Sequence, residues 1–193
     1  MERFIMTTTN VPEVRFDAGL AQPIFPRPVL KNAVLVHIPR TETGSLIPTF
    51  IKAEWGDLQV FYGDYYAIIG DEDDRKVVIY GSAKEQWENM HTPVAPGFWV
   101  KTAVPTAYQA TEPCRIVTLI PSADGNIREA NFVLAPGDWV VRQPGGEVQH
   151  IKQAKFAGIY FSHEEANELG LTYLPHQQFA IWAVQQVRQS VSV

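Results

Sequence analysis

Two Gly-Asp pairs and one histidine-bearing hairpin carry most of the chemistry that this sequence offers. Asp64 follows Gly63, and Asp138 follows Gly137. If the two stretches are equivalent halves, carboxylates meeting across an axis would form an acid–base pair. The plainer reading is that each Gly-Asp makes the tight turn entering a strand, its carboxylate accepting backbone N–H bonds. His150 stands out among the histidines. A tight turn at Pro144-Gly145 sets it across from Trp139, and Val148 across from Val141, on an inward face. There it either lines a pocket or, more plainly, is a hydrogen-bonded core histidine. Arg142, Lys152 and Lys155 lie close in sequence, with Lys152 on the His150 face, which suits an anion. The ligand-binding candidates are therefore Asp138, Trp139, Arg142, His150 and Lys152. In an enzyme, the working set would be Asp138, His150 and Lys152.

Other chemistries are excluded or demoted. Cys114, the single cysteine, cannot form an internal disulfide or a multi-cysteine zinc site. Its place before an apolar run reads as a buried structural residue. The histidines show no His-x-x-x-His spacing, so no metal is expected. The run Asp71-Glu72-Asp73-Asp74 lacks the spacing and glycine of a calcium loop and reads as a solvated hairpin tip. Phosphate loops, Gly-x-Ser-x-Gly elbows and dinucleotide fingerprints are absent, so no cofactor is expected.

The composition sets the wider bounds. The 193 residues are 46% hydrophobic and include 22 aromatics, so the chain buries a core. A net charge of −5 argues against double-stranded nucleic acid as a partner. No run approaches the roughly 20 apolar residues of a membrane span. Met1-Glu2-Arg3-Phe4-Ile5-Met6 lacks the apolar stretch of about 7–15 residues in a secretion signal, so a cytoplasmic location is expected, with translation starting at Met1 or Met6.

The elements that must position these residues come in a repeated order. Residues 1–27 form a proline-rich leader arm, which Phe16, Ile24 and Phe25 pin to the body. The body reads as copy one, residues 28–97, and copy two, residues 98–162. Leu30-Lys31-Asn32-Ala33-Val34 matches Val100-Lys101-Thr102-Ala103-Val104. Gly63-Asp64-Tyr65 matches Gly137-Asp138-Trp139, and Ala83-Lys84 matches Ala154-Lys155. Strands are expected at Val34–Ile38 and Arg115–Ile120. Hairpins join Tyr65–Gly70 to Val77–Tyr80, and Trp139–Arg142 to Glu147–Ile151. Short helical pieces follow at 82–89 and 153–156. Copy one carries six basic and ten acidic residues, copy two six and five. Any anion site is therefore expected in copy two.

The last segment, residues 163–193, is helical. Ser162-His163-Glu164-Glu165 is a capping box opening a helix through Leu169, with Gly170 as its stop. His176 to about Ser190 forms a second helix, with Phe179, Trp182, Ala183, Gln186 and Val187 near one face. That face is expected to pack on its own domain, a homodimer or partner contact being the alternative.

Pro136-Gly137-Asp138-Trp139-Val140-Val141, with Gly146-Glu147 and then Phe156 and Tyr160, resembles the small PGDYG and phage PGDW-type proteins. The likeness covers Val100 to Phe161, and copy one follows it loosely, with Tyr62 where the proline would stand. The resemblance implies a fold and a phage or prophage origin; the family's function is unknown. The chain departs from it at His150-Ile151-Lys152, where phage members carry an aromatic and then Pro-Cys-Lys-Pro.

These readings converge on a β-rich α+β protein, a tandem duplication of a small β unit around a pseudo-two-fold axis with C-terminal helices. Its expected role is a non-catalytic ligand-binding or assembly module for a small anionic ligand or a protein partner. A small hydrolase or transferase with its site between the repeats is the alternative, so whether the chain is an enzyme stays open at this point. Single-stranded nucleic acid on exposed aromatics is a third reading, marked by steep salt dependence.

Overall fold

The computed structural model describes residues 13–52, 58–73, 76–122 and 125–191. Two short strands, β1 (Glu13–Val14) and β2 (Gln22–Pro23), precede β3 (Leu30–Val36). Two antiparallel hairpins follow, β4 (Thr49–Lys52) with β5 (Leu58–Phe61), and β6 (Tyr65–Asp73) with β7 (Lys76–Ala83). Helix α1 (Lys84–Met90) leads into β8 (His91–Ala95) and β9 (Phe98–Lys101). After β10 (Thr106–Gln109) come the hairpins β11 (Cys114–Ser122) with β12 (Gly125–Leu134), and β13 (Trp139–Arg142) with β14 (Val148–Ile151). Helices α2 (Gln153–Ile159) and α3 (His163–Glu168), a 3-10 turn (Leu171–Tyr173) and α4 (His176–Val191) complete the chain. The protein is α+β and strand-rich, and ends in helices, as its sequence implies.

These elements form two compact units. Unit 1 combines Met1–Phe25 with Val104–Leu169, and unit 2 combines Pro26–Ala103 with Gly170–Val193. This partition differs from the division at residue 97 suggested by the sequence matches. The matched segments Leu30–Val34 and Val100–Val104 meet in one sheet of unit 2, Leu30 being the antiparallel ladder partner of Val100. The described leader residues up to Phe25 likewise belong to unit 1.

Unit 1 contains a four-stranded sheet, ordered β14-β13-β10-β2, and a three-stranded sheet, β1-β11-β12. Side chains alternate between the faces of a strand. One face of the four-stranded sheet buries Ala107 and Val141 with Ile24, Phe156 and Tyr160. The other buries Val140 with Ala110, Cys114, Ile116 and Leu134, joined by the half-buried Phe16, Tyr108 and Val148. The leader is thus docked through the residues its sequence marks: Ile24 and Phe25 are buried, and Phe16 sits 5.4 Å from the Tyr108 ring. Cys114 is buried, and that burial, followed by the charge of Glu112, pushes its thiol pKa up.

Unit 2 contains a five-stranded sheet, ordered β7-β6-β3-β9-β8, and the β4-β5 hairpin. Its core joins Ala33, Tyr66, Ile68 and Trp87, with Leu35, Tyr80 and Trp99 against them. The β6–β7 ladder continues to Asp73 opposite Lys76, so the strand extends into the acidic run read as a tip; Asp74 and Arg75 lie outside the described residues. In α4, Phe179, Ala183 and Val187 are buried. The helix lies against β8 and β9 of its own unit. The apolar face that a dimer contact would need is therefore used internally.

Each unit runs strand, hairpin, hairpin, seven-residue helix: β3, β4-β5, β6-β7, α1 in one, and β10, β11-β12, β13-β14, α2 in the other. Each helix buries its fourth residue, Trp87 or Phe156. The carbonyl of that residue accepts the N–H of the C-cap residue, His91 or Tyr160, whose extended backbone ends the helix.

Candidate functional site

The site grows from the Pro-Gly-Asp turn that opens β13. The Asp138 N–H donates to the Ala135 carbonyl at 3.1 Å, closing a four-residue turn with Pro136 and Gly137 at its centre. Pro presets φ for the second position, and Gly137 supplies the positive φ, +93°, that the third demands. A β-carbon on Gly137 would also meet the Gln153 side-chain oxygen at 2.5 Å. Two constraints therefore select glycine here.

Asp138 then ties three elements together. Its Oδ1 accepts the Gln153 N–H at 3.1 Å, at the start of α2, and its Oδ2 accepts the Ala135 N–H at 3.1 Å. The same Oδ2 accepts from His150 Nε2, on β14, at 2.9 Å. Both side chains are largely enclosed, His150 being 16% and Asp138 14% exposed. Burial works against the charged carboxylate, but the His150 hydrogen bond and the two backbone N–H groups outweigh it. They hold the Asp138 pKa below its ordinary value.

The β13–β14 register departs from the sequence reading by one residue. His150 lies opposite Val140, Trp139 opposite Ile151, and Val148 opposite Arg142. The connection is not a two-residue turn. The Gln143 N–H donates to the Glu147 carbonyl, leaving Pro144-Gly145-Gly146 as a three-residue loop with Gly146 at φ +92°. One extra loop residue shifts the pairing and turns His150 to the face opposite Trp139.

On the Trp139 face, the indole stacks on the Phe156 ring at 3.8 Å and 12°. A pocket of about 270 Å³ opens beside them. Trp139, Phe156, Ile24 and Ala107 supply much of its apolar wall, and Gln22, Gln109, Thr111 and His163 supply polar groups. The Gln109 amide is anchored, donating to the Gly137 carbonyl at 2.8 Å. Every lining residue belongs to unit 1.

Of the five sequence candidates, the structure joins Asp138 to His150 and places Trp139 at the pocket. Arg142 is exposed, with its guanidinium carbon 5.5 Å from the Phe16 ring centroid. Lys152 is exposed and caps α2 through its backbone. Neither lines the pocket. Sequence reasoning missed Gln22, Gln109, Thr111 and His163. His163 was legible only as the first residue of a capped helix, and Gln22 belongs to the leader.

Unit 2 has its own aspartate–histidine pair. Asp64 Oδ2 accepts from His37 Nδ1 at 2.7 Å, and Oδ1 accepts the Ile38 N–H at 3.1 Å. These bonds, that of His37 foremost, lower the Asp64 pKa. This pair is open to water, His37 being 73% exposed. Asp64 and Asp138 thus each engage a histidine of their own unit and the backbone N–H groups foreseen for a turn carboxylate.

Among the described residues, no three His, Cys, Asp or Glu side chains are grouped to hold a metal ion, and no helix is long and apolar enough to cross a membrane. Compared with known proteins, the chain matches no family model, no curated protein and no solved structure.

Proposed function

We propose that this chain is a non-catalytic binding module whose ligand occupies the unit 1 pocket. The observation that carries the reading is the pairing of an apolar wall built on the Trp139–Phe156 stack with a few fixed polar groups. Small-molecule sites have this composition, and their usual volume is about 300–1,000 Å³. At about 270 Å³ the pocket suits a compact ligand. No lysine or arginine lines it, so the ligand here is uncharged, with a flat apolar part and hydrogen-bonding edges matched to Gln109 and Thr111. The anionic ligand anticipated from Arg142 and Lys152 finds no support at this pocket.

The catalytic alternative draws on the Asp138–His150 bond. Against it, Asp138 is engaged by three N–H donors, and His150 faces away from the Trp139 side of the sheet. The pair is better explained as a clamp holding the turn, β14 and α2 together. The common order of elements in the two units supports a duplication, and the Pro-Gly-Asp-Trp turn supports a relationship to PGDYG-type proteins; both remain part of this proposal.

A thermal-shift screen of the full chain against small neutral heterocycles tests the reading. A ligand at 100 times its Kd stabilises by about 2.7 kcal/mol, enough to raise Tm by several degrees. The shift is expected to vanish in Trp139→Ala and Gln109→Ala and to persist in His150→Gln. A hit insensitive to Trp139 and Gln109 overturns the pocket. Turnover of a hit that is lost in His150→Gln, with folding intact, overturns the non-catalytic reading.

A further inference from the structure

Unit 2 leaves part of its sheet uncovered. One face of the five-stranded sheet carries the core of Ala33, Tyr66, Ile68 and Trp87. The opposite face holds the alternate residues. There Phe98 on β9 lies across from Asn32 on β3, Asn32 across from Ile69 on β6, and Ile69 across from Ile79 on β7. These four residues form one straight row across four strands, and Val34 stands in the next row. The β4-β5 hairpin covers the neighbourhood of Gly81, where Phe61 and Ile51 lie close, and the Phe61 ring stacks on Tyr65 at 4.3 Å. Val100, two residues beyond Phe98, is fully buried. Between these points the face is open: Phe98 and Ile69 are each 41% exposed, Ile79 48% and Val34 53%.

Apolar side chains aligned on an open sheet face are normally covered by a second layer. Charge, hydrogen bonding and size together select a second copy of this chain as that layer. A two-fold contact sets a surface against itself, so a charge near the axis meets its like. On this face, Leu30, Asn32, Val34 and Val36 of β3, Tyr65, Ala67 and Ile69 of β6, and Phe98 and Val100 of β9 are all uncharged. Along the register, the charge that follows is Asp71, two residues beyond Ile69 toward the hairpin tip. The polar member of the row, Asn32, is exposed, and its side chain makes no hydrogen bond among the described residues. A carboxamide carries both donor and acceptor, so it can pair with its own copy. A lone asparagine in an apolar seam also fixes the register of a self-association. Five strands about 4.8 Å apart, rising about 3.3 Å per residue, present roughly 400 Å². That is about half of what a standard interface takes from each partner, which suits a reversible dimer.

We propose that two copies of this chain pack face to face through Phe98, Asn32, Val34, Ile69 and Ile79, with the two-fold axis passing at Asn32. The contact is independent of the unit 1 pocket and leaves the buried face of α4 within its own unit.

The test is sedimentation equilibrium of the full-length protein over about 1 μM to 1 mM. The expected result is a reversible monomer–dimer equilibrium within that range, weakened about tenfold or more in Ile69→Asp. Asn32→Asp and Asn32→Lys should each weaken it similarly, because each sets like charges together at the axis. An equimolar mixture of the two should dimerise again, since opposite charges then meet. Ile181→Asp, at an exposed position of α4, serves as the control and should match wild type. A wild-type chain that stays monomeric to 1 mM overturns the proposal and leaves the face to a different protein. Wild-type dimerisation in Ile69→Asp, a mixture that associates no better than either Asn32 variant alone, or loss of the dimer in Ile181→Asp also overturns it. If Ile69→Asp loses its folded spectrum, the two Asn32 variants and their mixture decide.

Discussion

Asp138 and His91 make the stability of the chain depend on pH over two separate windows. His91 is held neutral in the folded state, with its pKa pushed from 6.5 to about 3, chiefly by burial against Trp87. Between these values the unfolded chain binds a proton that the folded chain refuses, so stability falls as pH drops from 6.5 toward 3. The limiting slope for one such group is about 1.4 kcal/mol per pH unit. Asp138 acts lower. Its folded pKa lies below 3.8, so the stability it contributes is present above 3.8 and is lost as pH falls through the lowered value. Urea unfolding of His91→Gln across the acid range should show the upper limb flattened. Asp138→Asn should keep that limb and lose part of the lower one. An unchanged profile in His91→Gln would mean that His91 is protonated without cost in the native protein.

At the scale of elements, the two strand entries that look alike in sequence are built differently. Gly137 sits at φ +93° with Gln153 against it, whereas Gly63 has an ordinary φ and nothing within 4 Å of an added β-carbon. Gly137→Ala is expected to cost about 1–3 kcal/mol, from the left-handed backbone and the displaced Gln153. Gly63→Ala should be near neutral or slightly stabilising by narrowing the unfolded ensemble. Chemical denaturation separates them, and equal effects would remove the distinction drawn here. The same contrast explains what the sequence could disclose. The α3 capping box, with Ser162 and Glu165 exchanging bonds and Gly170 at φ +71°, was legible because its chemistry is local. The Asp138 turn was legible for the same reason. The His150 register was missed because a single glycine, Gly146, lengthens the loop by one residue. Strand β12 was not foreseen, since Gly125-Asn126-Ile127-Arg128-Glu129 has weak strand propensity and is held by its ladder with β11. The pocket was invisible because Gln22 and Ile24 reach Gln109 and Trp139 only through pairing between strands distant in sequence.

For the whole molecule, the division into units sets which pieces are self-sufficient. A fragment spanning residues 98–162, the sequence-defined second copy, includes β9, which belongs to unit 2, and lacks β2, Ile24 and Phe25. It is expected to stay unfolded or molten, with poorly dispersed amide resonances. Residues 13–25 joined by a flexible linker to 104–169 restore the missing edge strand and the Ile24 contact, and should fold. A well-dispersed spectrum from the shorter piece would show that the leader is dispensable.

The interleaved threading also bears on the order in which the protein can fold during its synthesis. Unit 1 starts at the leader, yet β10 appears about 80 residues later, and unit 2 waits for α4 although its sheet ends at Lys101. At about 5–20 residues per second, β2 and Ile24 emerge several seconds before any partner exists for them. The hairpins are self-contained and can form as they leave the ribosome. The leader strands cannot and wait for β10 and β11, while the Val100 side of the unit 2 sheet stays exposed until α4 is made.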